Sequence, residues 1–469
     1  IEHLRLGLKA TRNDNQLELL GMQVAQWQLS GALQVGAQTP FVTTGNIQAK
    51  GAIRGEPLQL AATLSGALDA LQINAAISAR GNEASVAARV HPFEQAPIAT
   101  LALSANDLNL RAWGKSFPLT RISVHANATV DKGLLNGSLD AVNATPGTHD
   151  GGQLPIAKIS ARFSGMGREW AFPTISIGLP GGGRIQGEGS LRDGTGRVDA
   201  SVNNVDTSRL HGKLQKIAIS GQLQLSGDAG AQQLRATLSG ERLQLELAAR
   251  HAQGVLTVEN ARLLAEAGRL EMSGHIALAD EQAYSMSGRF RHFDPSHFFQ
   301  VPRAMLNGSV SAEGVLALDW KANVNLAIAS SQWRGIPLEA SAQFTSSAAQ
   351  LFTGDAKATL GGNRISVSGR YGQARDRVLW EIDATQLAAL DPTLAGGLRG
   401  SGSFSGSADS PAITFNLVAK NITWSGFGAA GIDARGDLSA GADGALRIKL
   451  DASRLQTPHG RLDALQLSS

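Results

Sequence analysis

The clearest pattern in this chain is an alternation of apolar with small or polar residues. From residue 217 the sequence reads IAISGQLQLS, in which Ile217, Ile219, Leu223 and Leu225 occupy every second position, with Gly221 completing the series. Successive side chains of a β-strand point to opposite faces, so this alternation places the apolar residues on one face. Residues two apart in a helix lie on different sides of it. The pattern therefore predicts strands with one apolar and one polar face.

The same alternation recurs along the chain, at 243–247 (LQLEL), 324–328 (VNLAI), 413–417 (ITFNL) and 446–450 (LRIKL). We interpret the apolar positions of these segments as the lining of a common apolar surface. The candidate residues are Ile217, Ile219, Leu223, Leu225, Leu243, Leu245, Leu247, Val324, Leu326, Ile328, Ile413, Phe415, Leu417, Leu446, Ile448 and Leu450.

Turn signals separate the strands, and helical patterns are nearly absent. Asp193-Gly194 and Asp443-Gly444 are typical of tight hairpin turns. Only three short segments indicate helical turns, at 206–212, 294–300 and 386–395. The sequence therefore predicts an all-β chain, mostly antiparallel, with a few short helical turns.

An apolar sheet face must be buried against another element, and this sequence predicts no helix long enough to pack on it. Strands at this spacing would number roughly 35 to 40, and ~38 strands at about 4.8 Å each would extend ~180 Å. The face could be buried by a second sheet, by curling of the same sheet, or by an apolar ligand. We expect one elongated, curled sheet over residues 1–469, with a loop or break at 145–155 and no separate catalytic domain.

Composition excludes several classes of protein. Hydrophobic residues make up 42% of the chain and the net charge is only +3, so disorder by charge repulsion and a nucleic-acid-binding surface are both disfavoured. Without cysteine the chain has no disulfide and no thiolate metal site. No apolar stretch is long enough for a membrane helix. Because the chain begins without Met or a signal-peptide pattern, we expect it to be a fragment of a longer protein.

Catalytic motifs are weak. Residues 426–431 match GxGxxG, but the following residues alternate like a strand, whereas a dinucleotide site needs a helix there. The closest approach to a metal site is His292, Asp294 and His297, where Asp-Pro-Ser more simply begins a short helical turn. Glu381 and Asp383 would share a strand face, and a solvated face explains them better than a catalytic pair. We predict no enzyme activity, no metal and no cofactor.

Longer segments of the sequence resemble a known protein family. Residues 400–439 combine a glycine-rich opening, a proline, an alternating strand, an aromatic residue and a second alternating strand, and residues 307–344 repeat this phrase. Together with residues 103–122 and 290–302, they resemble the middle region of the TamB family. TamB is the inner-membrane subunit of the translocation and assembly module, within the AsmA-like superfamily of bridge-like lipid transfer proteins.

The resemblance implies a location and a function. It implies a periplasmic protein of a Gram-negative bacterium, held in the inner membrane by an N-terminal anchor that is not present in this segment. It also implies a U-shaped, taco-like β-sheet whose apolar groove carries phospholipid acyl chains between the membranes. A role in assembling outer-membrane proteins and autotransporters would involve TamA, an outer-membrane barrel of the BamA family, through regions outside this segment.

Two other classes of function remain open. A chaperone-like scaffold would offer sheet edges to nascent outer-membrane strands by β-augmentation. A structural, adhesin-like protein would be a β-helix or sandwich with a dry core filled by side chains. The first alternative depends on backbone edges and the second on a closed core, whereas a lipid conduit depends on the apolar face.

Overall fold

The structure is a computed structural model that describes residues 2–24, 27–53, 56–94, 97–114, 117–279, 281–317, 319–407, 410–439 and 446–469. It contains two compact units, Ile1–Glu241 and Arg242–Ser469. Each unit is described by itself below.

The first unit is a series of antiparallel strands in which each strand pairs with the next one along the chain. Its strands are β1 (Glu2–Ala10), β2 (Asp14–Val24), β3 (Trp27–Gly36), β4 (Val42–Ile53), β5 (Glu56–Ala67), β6 (Ala70–Ala79), β7 (Asn82–Val90), β8 (Ile98–Leu108), β9 (Ile122–Asp131), β10 (Leu134–Asn143), β11 (Lys158–Met166), β12 (Glu169–Gly178), β13 (Arg184–Arg192), β14 (Thr195–Asp206), β15 (Ala218–Gly227) and β16 (Ala231–Gly240).

The second unit has the same order and pairing. Its strands are β17 (Leu243–Ala252), β18 (Val255–Ala265), β19 (Gly268–Ala277), β20 (Ala283–Phe293), β21 (Ala304–Val315), β22 (Lys321–Trp333), β23 (Ile336–Ser347), β24 (Phe352–Leu360), β25 (Asn363–Tyr371), β26 (Arg377–Ala384), β27 (Leu394–Gly406), β28 (Pro411–Trp424), β29 (Phe427–Ser439), β30 (Leu446–Thr457) and β31 (Gly460–Ser468).

The predicted fold class is confirmed, because the described residues form a long antiparallel β-structure with only short helical turns. The expected 35 to 40 strands are too many, since 31 strands are formed by the described residues. The estimate assumed a strand about every 12 residues, but strands of up to 14 residues and longer connections use up more of the chain.

The helical elements are 3₁₀ turns of three or four residues. Three lie where the sequence predicted helical turns, at Thr207–Arg209, Pro295–His297 and Leu387–Ala389. Three others were not predicted, at Leu110–Trp113, His149–Gly151 and Pro180–Gly182. None of the helices in the described part of the chain has the length and apolar character needed to cross a membrane.

The two rims of each sheet differ. Strands alternate in direction, so connections that leave odd-numbered strands lie on one rim and those that leave even-numbered strands lie on the other. All six 3₁₀ turns formed by the described residues follow even-numbered strands. We call this rim the looped rim of a unit, and the opposite one the hairpin rim.

β-bulges bend several even-numbered strands close to the looped rim. In β14 the pairing register shifts between Val202 and Val205, and Asn204 there has a φ of 51°. His292 of β20 and Asn421 of β28 have the same left-handed backbone, with φ values of 46° and 49°. A bulge inserts an extra residue and increases local bending and twist. The strands therefore bend near one rim.

The predicted turns are found where the structure describes them. Asp193 and Gly194 form the tight turn between β13 and β14, with φ values of 47° and 85°. Asp443-Gly444 lies outside the described residues. The loop predicted at 145–155 lies between β10 and β11, and these two strands pair directly with each other. The GxGxxG segment begins at a turn through Gly426 and continues as β29, as the sequence predicted.

Candidate functional site

The strand register of the second unit aligns apolar residues into rows that run across its strands. Directly paired residues of antiparallel strands point to the same face, so a row can be followed from strand to strand. One row takes a residue from every strand between β17 and β31, and each is apolar or glycine. Its members are Leu245, Leu263, Leu270, Phe290, Gly308, Ile328, Ala340, Ala358, Ile365, Ile382, Gly400, Leu417, Ala434, Leu450 and Leu467.

Two more rows lie on the same face, one beyond the other towards the hairpin rim. The first is Leu247, Ala261, Met272, Gly288, Val310, Leu326, Ala342, Ala356, Val367, Trp380, Gly402, Phe415, Gly436 and Ile448. The second runs from β19 to β30 through Gly274, Met286, Ala312, Val324, Phe344, Gly354, Gly369, Val378, Phe404, Ile413, Leu438 and Leu446. The face is thus apolar across its width as well as along its length.

The first unit has a corresponding row with one member on each strand. It consists of Leu6, Leu19, Gly31, Ile47, Ala62, Ala75, Val86, Leu103, Ala126, Leu139, Ala161, Ile175, Gly187, Ala200, Leu223 and Ala236. The adjacent row on the other face, from β9 to β16, is polar throughout: His125, Asp140, Ser160, Ser176, Gln186, Ser201, Gln222 and Thr237.

These rows locate the candidate residues named from sequence. In the second unit, eleven of the twelve candidates belong to the three rows, and Leu243 precedes them on β17. In the first unit, Ile219, Leu223 and Leu225 share a face of β15, and Ile217 immediately precedes that strand. In the second unit, the candidates from separate segments therefore lie on one surface, and in the first unit the candidates on β15 share one face of that strand.

Large rings on this face lie over glycines of the neighbouring strand. Trp380 pairs with Gly402, and a Cβ atom added to Gly402 would lie only 2.5 Å from Trp380 Cζ2. Phe415 pairs with Gly436, whose added Cβ would lie 2.7 Å from the ring of Phe415. Glycine in a strand permits this close approach of another group. The rings therefore lie low over the sheet instead of projecting from it.

The apolar face lacks a conventional core. The most deeply buried side chains among the described residues are those of Thr43, Thr120 and Ser403, and most buried apolar residues are alanines. Larger apolar side chains of the face stay accessible, since Leu225 is 44% exposed and Leu446 is 53% exposed. Covering such side chains would contribute roughly 25 cal/mol per Å² removed from water. The face is therefore suited to an apolar occupant.

The polar face also holds a concave region, but its chemistry is different. A cavity of about 930 Å³ spans β18 to β24 and is lined by polar residues such as Ser287, Asn325 and Gln343. Val310 and Leu326 also border it, because both faces share the strand backbone. Its lining also includes the charged side chains of Glu271, Arg289 and Asp355 and is more polar than apolar, so we assign the candidate site to the apolar face.

Two of the acidic side chains weighed as catalytic or metal-binding candidates, Asp383 and Asp294, have structural partners. Asp383 accepts hydrogen bonds from Arg364 (2.9 Å) and Arg399 (3.0 Å) on the flanking strands, and these bonds lower its pKa. Burial raises the pKa of Asp294, but hydrogen bonds from Ser296 and Ala304 outweigh that effect and lower it. Among the residues that the structure describes, no three His, Asp or Glu side chains are grouped to hold a metal ion.

Sequence reasoning missed many members of the apolar face. Ala340, Gly308 and Gly400 carry no large side chain, so no alternation in the sequence marks them. Trp380 was not among the residues named from sequence, yet it lies near the middle of β26 and within a row. Register between distant strands, which the sequence does not show directly, is what assigns these residues to the face.

Comparison with known protein families gives a match over the second half of the chain. The family described as "TamB, N-terminal domain" matches residues 220–469, which is more than half of the chain. The matched region includes β16 and every strand of the second unit. No match was found among curated proteins.

Proposed function

The chain belongs to the TamB family, and from this membership and the partly exposed apolar face we propose that it is a conduit for phospholipids. The family consists of non-enzymatic proteins of the bacterial envelope that take part in outer-membrane assembly and lipid transport. In the proposed mechanism, acyl chains lie along the apolar rows of each unit, and head groups remain in water beyond the rims.

The observation that carries the proposal is the row structure of the face. Every strand contributes apolar residues or glycine at matched positions, so an acyl chain would meet apolar surface at each step across a unit. The strand backbone needs no hydrogen bond from such an occupant, because neighbouring strands already pair. Apolar contacts of this kind are nonspecific, so a lipid could move from strand to strand along the face without breaking a specific interaction.

The remaining parts of the proposal follow from the family. We place the protein in the periplasm of a Gram-negative bacterium, held at the inner membrane and acting with a TamA-type barrel of the outer membrane. Assembly of outer-membrane proteins and autotransporters would then depend on the same protein, with no enzymatic step of its own.

The structural, adhesin-like alternative fits the structure less well, and the scaffold alternative makes a different experimental prediction. A β-helix has parallel strands, whereas the strands described here pair antiparallel with their neighbours in sequence. A dry, filled core is also at odds with the exposure of Leu225 and Leu446. A β-augmentation scaffold would act through sheet edges, and its function would not depend on which strand face carries a side chain.

Photocrosslinking tests the conduit directly. A photoreactive amino acid is introduced at Leu326, which points to the apolar face of β22, or at its neighbour Asn325, which points to the polar face. The protein is irradiated in cells and attached phospholipid is identified by mass spectrometry. We expect lipid adducts at Leu326 and none above background at Asn325.

Leu223 and Gln224 of β15 form the matched pair in the first unit. Equal adduct levels within both pairs, or protein adducts without lipid, would contradict the conduit. Adducts to outer-membrane proteins that are independent of the strand face would support the scaffold instead.

A further inference from the structure

Three connections on the looped rim of the first unit form a layer beside the sheet. They follow β8, β10 and β14, and comprise described residues 109–114 and 117–121, residues 144–157 and residues 207–217. We call this layer the ledge. It contains three of the unit's 3₁₀ turns.

Hydrogen bonds join these connections to one another. The Leu119 amide donates to the Gly152 carbonyl (2.8 Å), and the Arg111 guanidinium donates to the same oxygen (3.0 Å). The His149 amide donates to the Leu210 carbonyl at 3.0 Å. Segments distant in sequence are therefore held as one layer.

Carboxylate and amide side chains reinforce the ledge. Asp150 accepts a hydrogen bond from the Gly212 amide at 2.8 Å. Asn143, which is buried, donates to the Ile156 carbonyl at 3.1 Å and accepts from the Thr145 amide at 3.2 Å. These bonds fix the paths of the second and third connections.

The ledge also carries apolar side chains that are withdrawn from water. Leu110, Leu154, Ile156, Leu210 and Leu214 are all half-buried, although they lie in connections and not in strands. Trp113, Phe117 and Leu119 of the first connection are exposed, so only part of the ledge is withdrawn from water. Connections at a sheet rim are usually polar and solvated. Apolar residues in this position indicate that the ledge packs on apolar surface.

In the first unit, side chains of the apolar face near the looped rim are less exposed than those near the hairpin rim. Near the looped rim, Ala105, Val202 and Val205 are only 3% to 4% exposed. Near the hairpin rim, Leu191 is 36% exposed and Leu225 is 44% exposed. Ala128 of β9 departs from this trend, since it is buried and lies nearer the hairpin rim.

From these observations we infer that, between β8 and β15, the ledge occupies the looped-rim half of the apolar face and confines acyl chains to the hairpin-rim half. The inference rests on the proposed function. An acyl chain fits the accessible half because the backbone of these strands is paired on both sides, so an extended peptide would find no hydrogen-bond partners there. Leu191 and Leu225 are then lipid-contacting residues, and Ile219 is not.

Two positions on one strand test the inference. Ile219 and Leu225 share a face of β15 but lie about 20 Å apart along it, Ile219 next to the ledge and Leu225 next to the hairpin rim. A photoreactive residue is placed at each in turn, with Gln224 on the polar face as the control. We expect lipid adducts at Leu225 to exceed those at Ile219 several-fold.

The possible outcomes separate the two proposals. Strong and equal labelling at Ile219 and Leu225 would overturn the confinement and leave the conduit standing. Labelling of neither residue, in a protein with an unchanged circular dichroism spectrum, would overturn both.

A ledge variant provides a second measurement. Asp150→Ala removes the acceptor for Gly212 at a solvent-accessible position, so the sheet should stay folded while amide exchange at Gly212 accelerates. Lipid labelling at Ile219 should then rise towards the level at Leu225. Unchanged labelling at Ile219, despite faster exchange at Gly212, would show that the ledge does not exclude the lipid.

Discussion

Replacing Gly402 by alanine should disturb the apolar face of the second unit in a measurable way. Gly402 lies between Trp380 and Phe415 in one of the apolar rows. An added Cβ would meet the backbone oxygen of Thr414 and lie 2.5 Å from Cζ2 and 2.7 Å from Cε2 of Trp380. Contacts below 3 Å to backbone cannot be relieved by rotating a side chain, so strands must move apart or the indole must lift.

The size of the effect follows from two opposing contributions. Overpacking of this kind costs about 1–3 kcal/mol. Alanine also restricts the unfolded chain, which stabilises the folded state by about 0.4–1 kcal/mol where the backbone is compatible. The net loss should be about 1–2 kcal/mol, confined to the strands around Gly402.

Hydrogen exchange measured by mass spectrometry is the appropriate assay, because it reports opening of individual strands, whereas a long repetitive sheet need not unfold in a single step. Amides of β26 and β27 should exchange about 5- to 30-fold faster in Gly402→Ala, since each 1.4 kcal/mol is a factor of ten.

Gly428→Ala is the matched control in the same unit. The nearest atoms to its added Cβ are 3.5 Å away, an ordinary contact distance, and its φ is not in the left-handed region. Exchange in this control should be unchanged or slower. Exchange in Gly402→Ala at the wild-type rate would refute the idea that the Trp380 ring depends on a glycine beneath it.

Three further predictions concern the apolar face, the ledge and the buried side chain of Asn363. Leu326→Arg should sharply reduce the amount of phospholipid that copurifies with the protein, because a charged side chain among the apolar rows is costly unless it reaches water. Asn325→Arg, on the polar face, should leave that amount unchanged. The lipid is measured by mass spectrometry. The pKa of Asp150 is lowered, chiefly by the hydrogen bond from the Gly212 amide. The stabilisation of the ledge by this carboxylate is therefore present at neutral pH and is lost as the pH falls through the lowered pKa. Amide exchange at Gly212, corrected for its intrinsic pH dependence, should report the loss. Asn363→Ala should destabilise the start of β25 by about 1–3 kcal/mol, because this buried amide bonds the backbone that follows β26, and local exchange would show it.

The sequence was sufficient to predict the kind of structure and the kind of surface. Alternation with a period of two is a local property, so IAISGQLQLS by itself identifies a strand and the residues that share its face. The short turns after Asp206 and Asp294 were also predictable, because an aspartate at that position accepts a hydrogen bond from an amide two residues later.

Other features depended on contacts between strands distant in sequence. The apolar row through Gly308, Gly400 and Ala434 contains residues with little or no side chain, and only the pairing register assigns them to the face. The 3₁₀ turn His149–Gly151 lacks a side-chain cap, and its bonds to Leu210 and Gly212 cross from one connection to another. No local pattern encodes such partners.

The sequence by itself thus determined an all-β chain, the apolar face of its clearest strands and, through its longer phrases, the TamB family. Only the tertiary structure decided how those faces align into unbroken rows, that large rings such as Trp380 lie over glycines, and that a ledge lies along one rim of the first unit. The physical reason is that side-chain alternation depends on the backbone of a single strand, whereas register, ring packing and the ledge depend on hydrogen bonds and close contacts between different strands and connections.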